Sequence, residues 1–426
     1  MIFRLYLSAA SRRPRSSVAA LVATAPVAGA LGTLITTAGA APAGPARAGA
    51  ASAECHVGSR GRLLATKDLV PLERGEVADA LRQSGLGSSA RYGVATYRVS
   101  YCTVSPAGAP TTASGLLALP RGKLGRLPLV AYGHGTITAR TDAPSFLGTQ
   151  EARLAPLVFA AEGFAVVAPD YLGLGVSPLQ HPFVHAATEA DASVDLLRAA
   201  DLAAARHGAR VSHDVLVSGH SQGGHAALAI GRELQRDKGP WRLAALAPMA
   251  GPYDMSGTLL PAALDPSRTD PAKASVYLAY LLTSWKSLYH LYQDPHEVFA
   301  APYADSVEGL FDGTHGLDMV AAALPDTPEQ LFRPEALARM AHPSGRLAAA
   351  LRDNDVCRWT PTVPTRLYAG RGDRDVASVH AEQCQRQILD RGGVAQIVDV
   401  GEVDHIGTAI ASLPLIRAWF SDLTGS

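Results

Sequence analysis

The chain has 426 residues, 47% of them hydrophobic and 18% charged, so it can bury a substantial core as one large domain with an insertion or as two domains. Lys plus Arg and Asp plus Glu both number 38, giving a formal net charge of +0. No basic stripe suits a phosphate backbone, which argues against a nucleic-acid partner.

Residues 1–43 read as a signal peptide with its cleavage region. Arg4, Arg12, Arg13 and Arg15 precede an acid-free, Ala-rich apolar run over residues 18–38, and Ala38-Gly39-Ala40 and Ala41-Pro42-Ala43 offer small-residue cleavage sites. Ser11-Arg12-Arg13 also suggests a twin-arginine signal, although Pro14 and Arg15 replace the apolar residues usual after the pair. A membrane anchor is the alternative; Gly, Pro and Thr interrupt the run and no comparable stretch recurs, so no stable span is expected. The expected location is secreted or periplasmic. Cys55, Cys102, Cys357 and Cys384 all lie beyond this segment, where an oxidising compartment favours pairing. Three connectivities exist. Closeness in sequence favours Cys55 with Cys102 and Cys357 with Cys384, subject to geometry. The cysteines lack CxxC spacing, so zinc is not expected, and no other feature calls for a metal or cofactor.

Residues 44–90 are read as an N-terminal extension, 91–255 and 354–426 as two parts of one core, and 256–353 as an insertion. Residues 92–103 and 112–119 are β-rich and separated by Pro106, Gly108 and Pro110, as in an antiparallel pair. Residues 127–132, 164–168 and 215–218 are short apolar runs, suited to strands of a parallel sheet buried on both faces. Residues 188–207 form a crossover helix, with Thr188 and Asp191 placed for its N-terminal cap and Gly208 as a stop. Strands over 243–247, 365–368 and 395–400 and a helix over 409–420 complete an alternation that predicts an α/β fold, mostly parallel, with helices on both faces. Over 256–353 the alternation stops. Leu281, Trp285, Leu288 and Tyr292 share one helical face, and 334–340 and 346–351 look helical, predicting a helical cap after the sixth strand or, more plainly, a separate binding domain.

The strand at 215–218 runs into Gly219-His220-Ser221-Gln222-Gly223-Gly224 and then a helix-prone stretch, the setting of a nucleophile elbow. Gly219 and Gly223 would remove Cβ clashes around a strained Ser221, and the following helix would aim backbone N–H groups at developing negative charge. The bland reading is a structural Gly-rich turn. Downstream, His405 follows the strand at 395–400 in the loop 401–407 and is the best base; His380, inside a helix starting near Ser378, is read as surface or structural. Asp373 and Asp375, both just past the strand at 365–368, are the candidate acids. Asp404 is read as a solvated loop carboxylate. The backbone N–H groups of Gln222 and Thr136 are the expected oxyanion donors, Thr136 lying in Tyr132-Gly133-His134-Gly135-Thr136 just after a strand.

Together with Pro169-Asp170-Tyr171-Leu172-Gly173-Leu174-Gly175, these segments resemble the α/β-hydrolase superfamily and, within it, the secretory lipase family and related bacterial esterases. The resemblance covers most of the chain from about residue 90. It implies metal-free hydrolysis of carboxylic esters, a cap after the sixth strand, and a pocket-lining loop at Asp170 and Tyr171, residues read here as bracing rather than contacting substrate. Gly370 to Ala377 resembles the acid loop of the fold with Asp373 in register, although Ala377 stands where Pro is usual, and this implies Asp373 as the acid with Asp375 in reserve.

His134, Tyr171 and Trp285 are the candidate substrate-binding residues. Packing of the oxyanion loop is the competing role for His134, and packing of the cap core competes for the aromatic stripe Trp285, Tyr289 and Tyr292. His181 and His185 are spaced i and i+4, but Pro182 lies between them and no third ligand is evident, so structural roles are expected. His220 and His225 flank the elbow too closely to serve as its base. The expected activity is therefore a serine esterase or lipase acting on a small-molecule or lipid ester; a serine peptidase of the same fold and a noncatalytic binding protein are the alternatives.

Overall fold

The computed structural model describes residues 55–87 and 89–425; the signal peptide and its cleavage region lie outside them. Nine strands form one sheet: β1 (Leu63–Asp68), β2 (Val94–Val104), β3 (Pro110–Pro120), β4 (Arg126–Gly133), β5 (Ala165–Pro169), β6 (Arg210–His220), β7 (Arg242–Met249), β8 (Arg366–Ala369) and β9 (Gln396–Asp399). Their spatial order is β1-β2-β3-β5-β4-β6-β7-β8-β9. The first three strands and β5 pair antiparallel, and from β5 across to β9 every pairing is parallel. The main helices are α1 (Arg74–Gln83), α2 (Gln150–Ala160), α3 (Ala186–Arg206), α4 (Gln222–Arg236), α5 (Pro271–Tyr289), α6 (Leu317–Ala323), α7 (Pro334–Ala341), α8 (Gly345–Asp353), α9 (Val379–Leu389) and α10 (His405–Thr424).

Alternation along the central strands divides the core in two. Leu129, Ala131, Val215 and Val217 point to one face and pack against α3, α4 and α9. Val130, Tyr132 and Leu216 point to the other and pack against α1, α2 and α10. Side chains buried on both faces explain why these strands read as continuous apolar runs. Each fully buried Val or Leu contributes roughly 1.5–3 kcal/mol.

The segment read as an N-terminal extension supplies β1 and α1. β1 is an edge strand, only half-buried along LLATKD, so its composition carries little apolar signal. With β1 counted, the insertion follows β7, which is the run read as the sixth strand. α2 went unread because Pro156 interrupts it, although seven of its residues are buried.

Between β7 and β8 the chain forms the helices α5 to α8 around a third core, centred on Leu281, Trp285, Phe299 and Phe332. α5 begins at Asp270, whose carboxylate accepts from the Ala272 and Lys273 N–H groups, and Pro271 pre-sets its first turn. It stops at Tyr289 because His290 takes a left-handed conformation, so Tyr292 falls beyond the helical face assigned to it. The disulfides are Cys55–Cys102 and Cys357–Cys384, with Cα atoms 5.5 and 5.2 Å apart. No helix among the described residues is long and apolar enough to cross a membrane.

Candidate active site

Ser221 sits between the end of β6 and the start of α4 with φ 58° and ψ −122°, a backbone strained for any residue with a Cβ. Its N–H donates to the Met249 carbonyl at 3.0 Å, fixing the turn against β7. The glycines of the motif are sterically required. A Cβ on Gly219 would lie 2.2 Å from the Gly223 carbonyl oxygen, and one on Gly223 would lie 2.0 Å from that of Gly133. α4 begins at Gln222, so its unpaired N–H groups lie directly after the serine.

His405 is the first residue of α10 rather than a loop residue. The Asp404 side chain, exposed to solvent as read, also caps that helix by accepting from the Gly407 N–H at 2.7 Å. His405 Nδ1 lies 2.7 Å from Asp373 Oδ2, both side chains being buried. The other oxygen of Asp373 accepts from the N–H groups of Asp375 and Val376, each at 2.9 Å. Asp375 turns away to accept from the Tyr277 hydroxyl at 2.9 Å, with Lys273 at 3.5 Å.

A cleft of about 610 Å³, including its solvent-filled mouth, opens beside Ser221, and Thr136 and Gln222 line it too. Its walls are mainly apolar, with Phe183 and Val184 from the core and Met255, Leu259, Leu278 and Leu281 from the cap. The Gly135 N–H is bound to the Glu151 carboxylate at 3.1 and 3.2 Å. Thr136 is the next residue along that loop.

Gln222 is locked from behind. Its Nε2 lies 2.9 Å from His181 Nε2 and donates to Glu189 Oε1 at 3.0 Å. His181 Nδ1 faces the Leu172 carbonyl at 2.7 Å and must donate to it, which leaves Nε2 as an acceptor for the amide. Burial pushes His181 down to about 4, consistent with a neutral ring. Glu189 Oε2 also holds His225 Nδ1 at 2.7 Å, and His225 Nε2 reaches the Asn354 carbonyl at 2.9 Å. His185 Nδ1 pairs with the Thr188 hydroxyl at 3.0 Å.

The three candidate substrate-binding residues are not among those lining the cleft. The His134 ring packs on Tyr171 with centroids 4.4 Å apart, its Nδ1 engaging the Gly135 carbonyl at 2.7 Å. Tyr171 is buried with φ 64°. Trp285 donates through Nε1 to the Phe183 carbonyl at 3.0 Å, one turn beyond Leu281 and inside the cap core. A buried indole N–H needs an acceptor, and it finds one in the main chain of Phe183, whose residue lines the cleft that Trp285 itself does not. Tyr289 and Tyr292 bind Asn354 and Glu308, so the aromatic stripe is cap packing. Asp170 braces its loop by accepting from the Ser114 and Ser145 hydroxyls. His380, read from the sequence as surface or structural, is buried and lines the cleft; burial pushes it down to about 4. The sequence reading gave no role to Glu151 and Glu189, whose partners come from distant segments.

Comparison with solved structures decides the family. The esterase LipA from Xanthomonas oryzae, described as rice cell wall degrading, is 30% identical, with a TM-score of 0.79 over 85% of this chain and 99% of its own. The chain belongs to the α/β-hydrolase superfamily. A Legionella pneumophila protein classed provisionally as a hydrolase is 28% identical, with a TM-score of 0.79 over 85% of this hydrolase and 98% of its own length. Lipase A of Candida antarctica shares the fold at 14% identity, with a TM-score of 0.64 over 86% and 83% of the two chains. A family profile described as serine aminopeptidase, S33, matches residues 154–309. No curated protein matches the sequence.

Proposed function

We propose that this hydrolase is exported and cleaves carboxylic esters through an acyl-enzyme on Ser221. The observation that carries the reading is the 2.7 Å bond between Asp373 and His405 Nδ1 in the protein whose strained turn presents Ser221 to an apolar cleft. That bond leaves His405 Nε2 as the nitrogen available to a serine proton. Ser221 Oγ attacks the ester carbonyl carbon while His405 takes its proton. The Gln222 and Thr136 N–H groups hold the oxyanion, and collapse expels the alcohol with the proton returned by His405. Water then attacks the acyl-enzyme by the same route and releases the acid. The apolar wall suits the acyl or alcohol part of a small-molecule or lipid ester. Export accords with the two disulfides and with a relative that degrades plant cell wall.

Ser221→Ala is expected to abolish p-nitrophenyl ester hydrolysis and fluorophosphonate labelling without altering the melting temperature. Persistent turnover by the purified variant would sink the mechanism. The aminopeptidase profile favours a second reading, a peptidase with the same triad. Among the described residues the one acidic side chain on the cleft wall is Asp375, already engaged by Tyr277 and Lys273, which leaves little anchor for a peptide amine. Turnover of aminoacyl amides, measured against acyl esters on one preparation, separates the two.

A further inference from the structure

His220, between Gly219 and the proposed nucleophile, is 2% exposed, and the mechanism above makes no use of it. Its Nε2 lies 3.0 Å from the backbone carbonyl oxygen of His405. A carbonyl only accepts, so Nε2 carries the hydrogen, and His220 cannot take a proton there. Nδ1 faces Glu151 Oε2 at 3.9 Å, the distance of an ion pair rather than a hydrogen bond. Glu151, in the first turn of α2, accepts from the Gly135 N–H through both oxygens and from the Tyr132 hydroxyl at 2.8 Å. One carboxylate therefore grips the loop that carries Thr136 and, through one imidazole, the main chain of His405. Burial opposes charge on both groups. Their attraction outweighs it, holding Glu151 below and His220 above their ordinary values.

We infer that Glu151 and His220 are positioning residues, a couple that keeps the oxyanion loop and the base in register with Ser221. The inference rests on the proposed roles of Ser221, Thr136 and His405. Neither residue lines the cleft; Glu151 acts through the Gly135 N–H beside Thr136, and His220 through the main-chain carbonyl of His405. Because the Gly135 N–H is committed to Glu151, the loop is held with the Thr136 N–H as the next donor.

The test is a double-variant cycle of Glu151→Gln, His220→Gln and both together, read as kcat and KM on p-nitrophenyl butyrate, with thermal melts to confirm folding. Glutamine at 220 keeps an N–H for the His405 carbonyl but loses the link to Glu151. Each single variant is expected to lower kcat about 10-fold with KM within about two-fold, as for a small misplacement of reacting groups. The double variant should fall no further than the worse single, because both remove one link. His220→Leu, which also loses the carbonyl bond, should lose about 100-fold, so that His220→Gln is a partial rescue. Folded single variants with wild-type kcat, or a double variant whose losses multiply, would overturn the couple. In either case an inactive Ser221→Ala leaves the proposed function standing, whereas an active Ser221→Ala removes the reading beneath it.

Discussion

Asp373 and Asp375 stand two residues apart after the same strand, and their partners separate them. Asp373 receives two main-chain N–H groups and His405; Asp375 receives a tyrosine and a lysine of the cap. On the proposed mechanism, Asp373→Asn should lower kcat by about 10⁴, the scale seen when a triad carboxylate is neutralised, whereas Asp375→Asn should change it less than about five-fold. Comparable losses in the two variants would reverse the assignment of acid and reserve. Glu189 belongs to the same scale. Buried at 1% exposure, it is bound by both Gln222 and His225, so Glu189→Leu strands two polar partners and should cost about 3–5 kcal/mol in chemical denaturation. Ser221, Asp373 and His405, the proposed triad, could be nominated from the sequence because motif, strand context and chain order are local signals. Glu151 and Glu189 could not, since nothing near them in sequence names Gly135, His220, Gln222 or His225 as a partner. The same blindness put Trp285 at the substrate: helical spacing gives the face of α5 but not which turn of it meets the cleft.

At the scale of elements, α10 delivers His405 in its first turn, so the helix start and the proposed base are set together. Asp404→Ala removes the cap and should cost about 1 kcal/mol of stability. A loss of kcat beyond that expected from unfolding alone would show that the cap also orients the imidazole. The join between α2 and β6 is expected to respond to pH. Glu151 is held below its ordinary 4.5, so its contribution is present above that value and lost as pH falls through the lowered one. His220 is held above its ordinary 6.5, so its contribution is full below 6.5 and lost as pH rises through the raised one. The melting-temperature gap between wild type and Glu151→Gln should therefore be widest between pH 4.5 and 6.5 and narrow on either side. A gap that does not vary with pH would mean that the pair carries no charge. Elements with strong apolar runs were read within a few residues, whereas β1 and α2 were lost to edge exposure and an internal proline.

Across the whole molecule, the alternation of strands and helices announced the sheet, and its interruption announced the cap. The cap's aim over Ser221 was not legible, because it depends on side chains of α5 meeting Phe183 and Val184 from another segment. Cys357–Cys384 ties the chain just after the cap to α9, closing a sequence separation of 27 residues. Replacing both cysteines with serine should cost about 3 kcal/mol in a denaturant titration. An unchanged midpoint would show that packing of α9 alone holds that return.

The same insertion has a temporal consequence. Ser221 precedes residues 256–353, and Asp373 and His405 follow them. A polypeptide made amino end first thus carries its proposed nucleophile while its acid and base are still unmade. On the proposed mechanism no hydrolysis can begin until β8, β9 and α10 have brought Asp373 and His405 to Ser221.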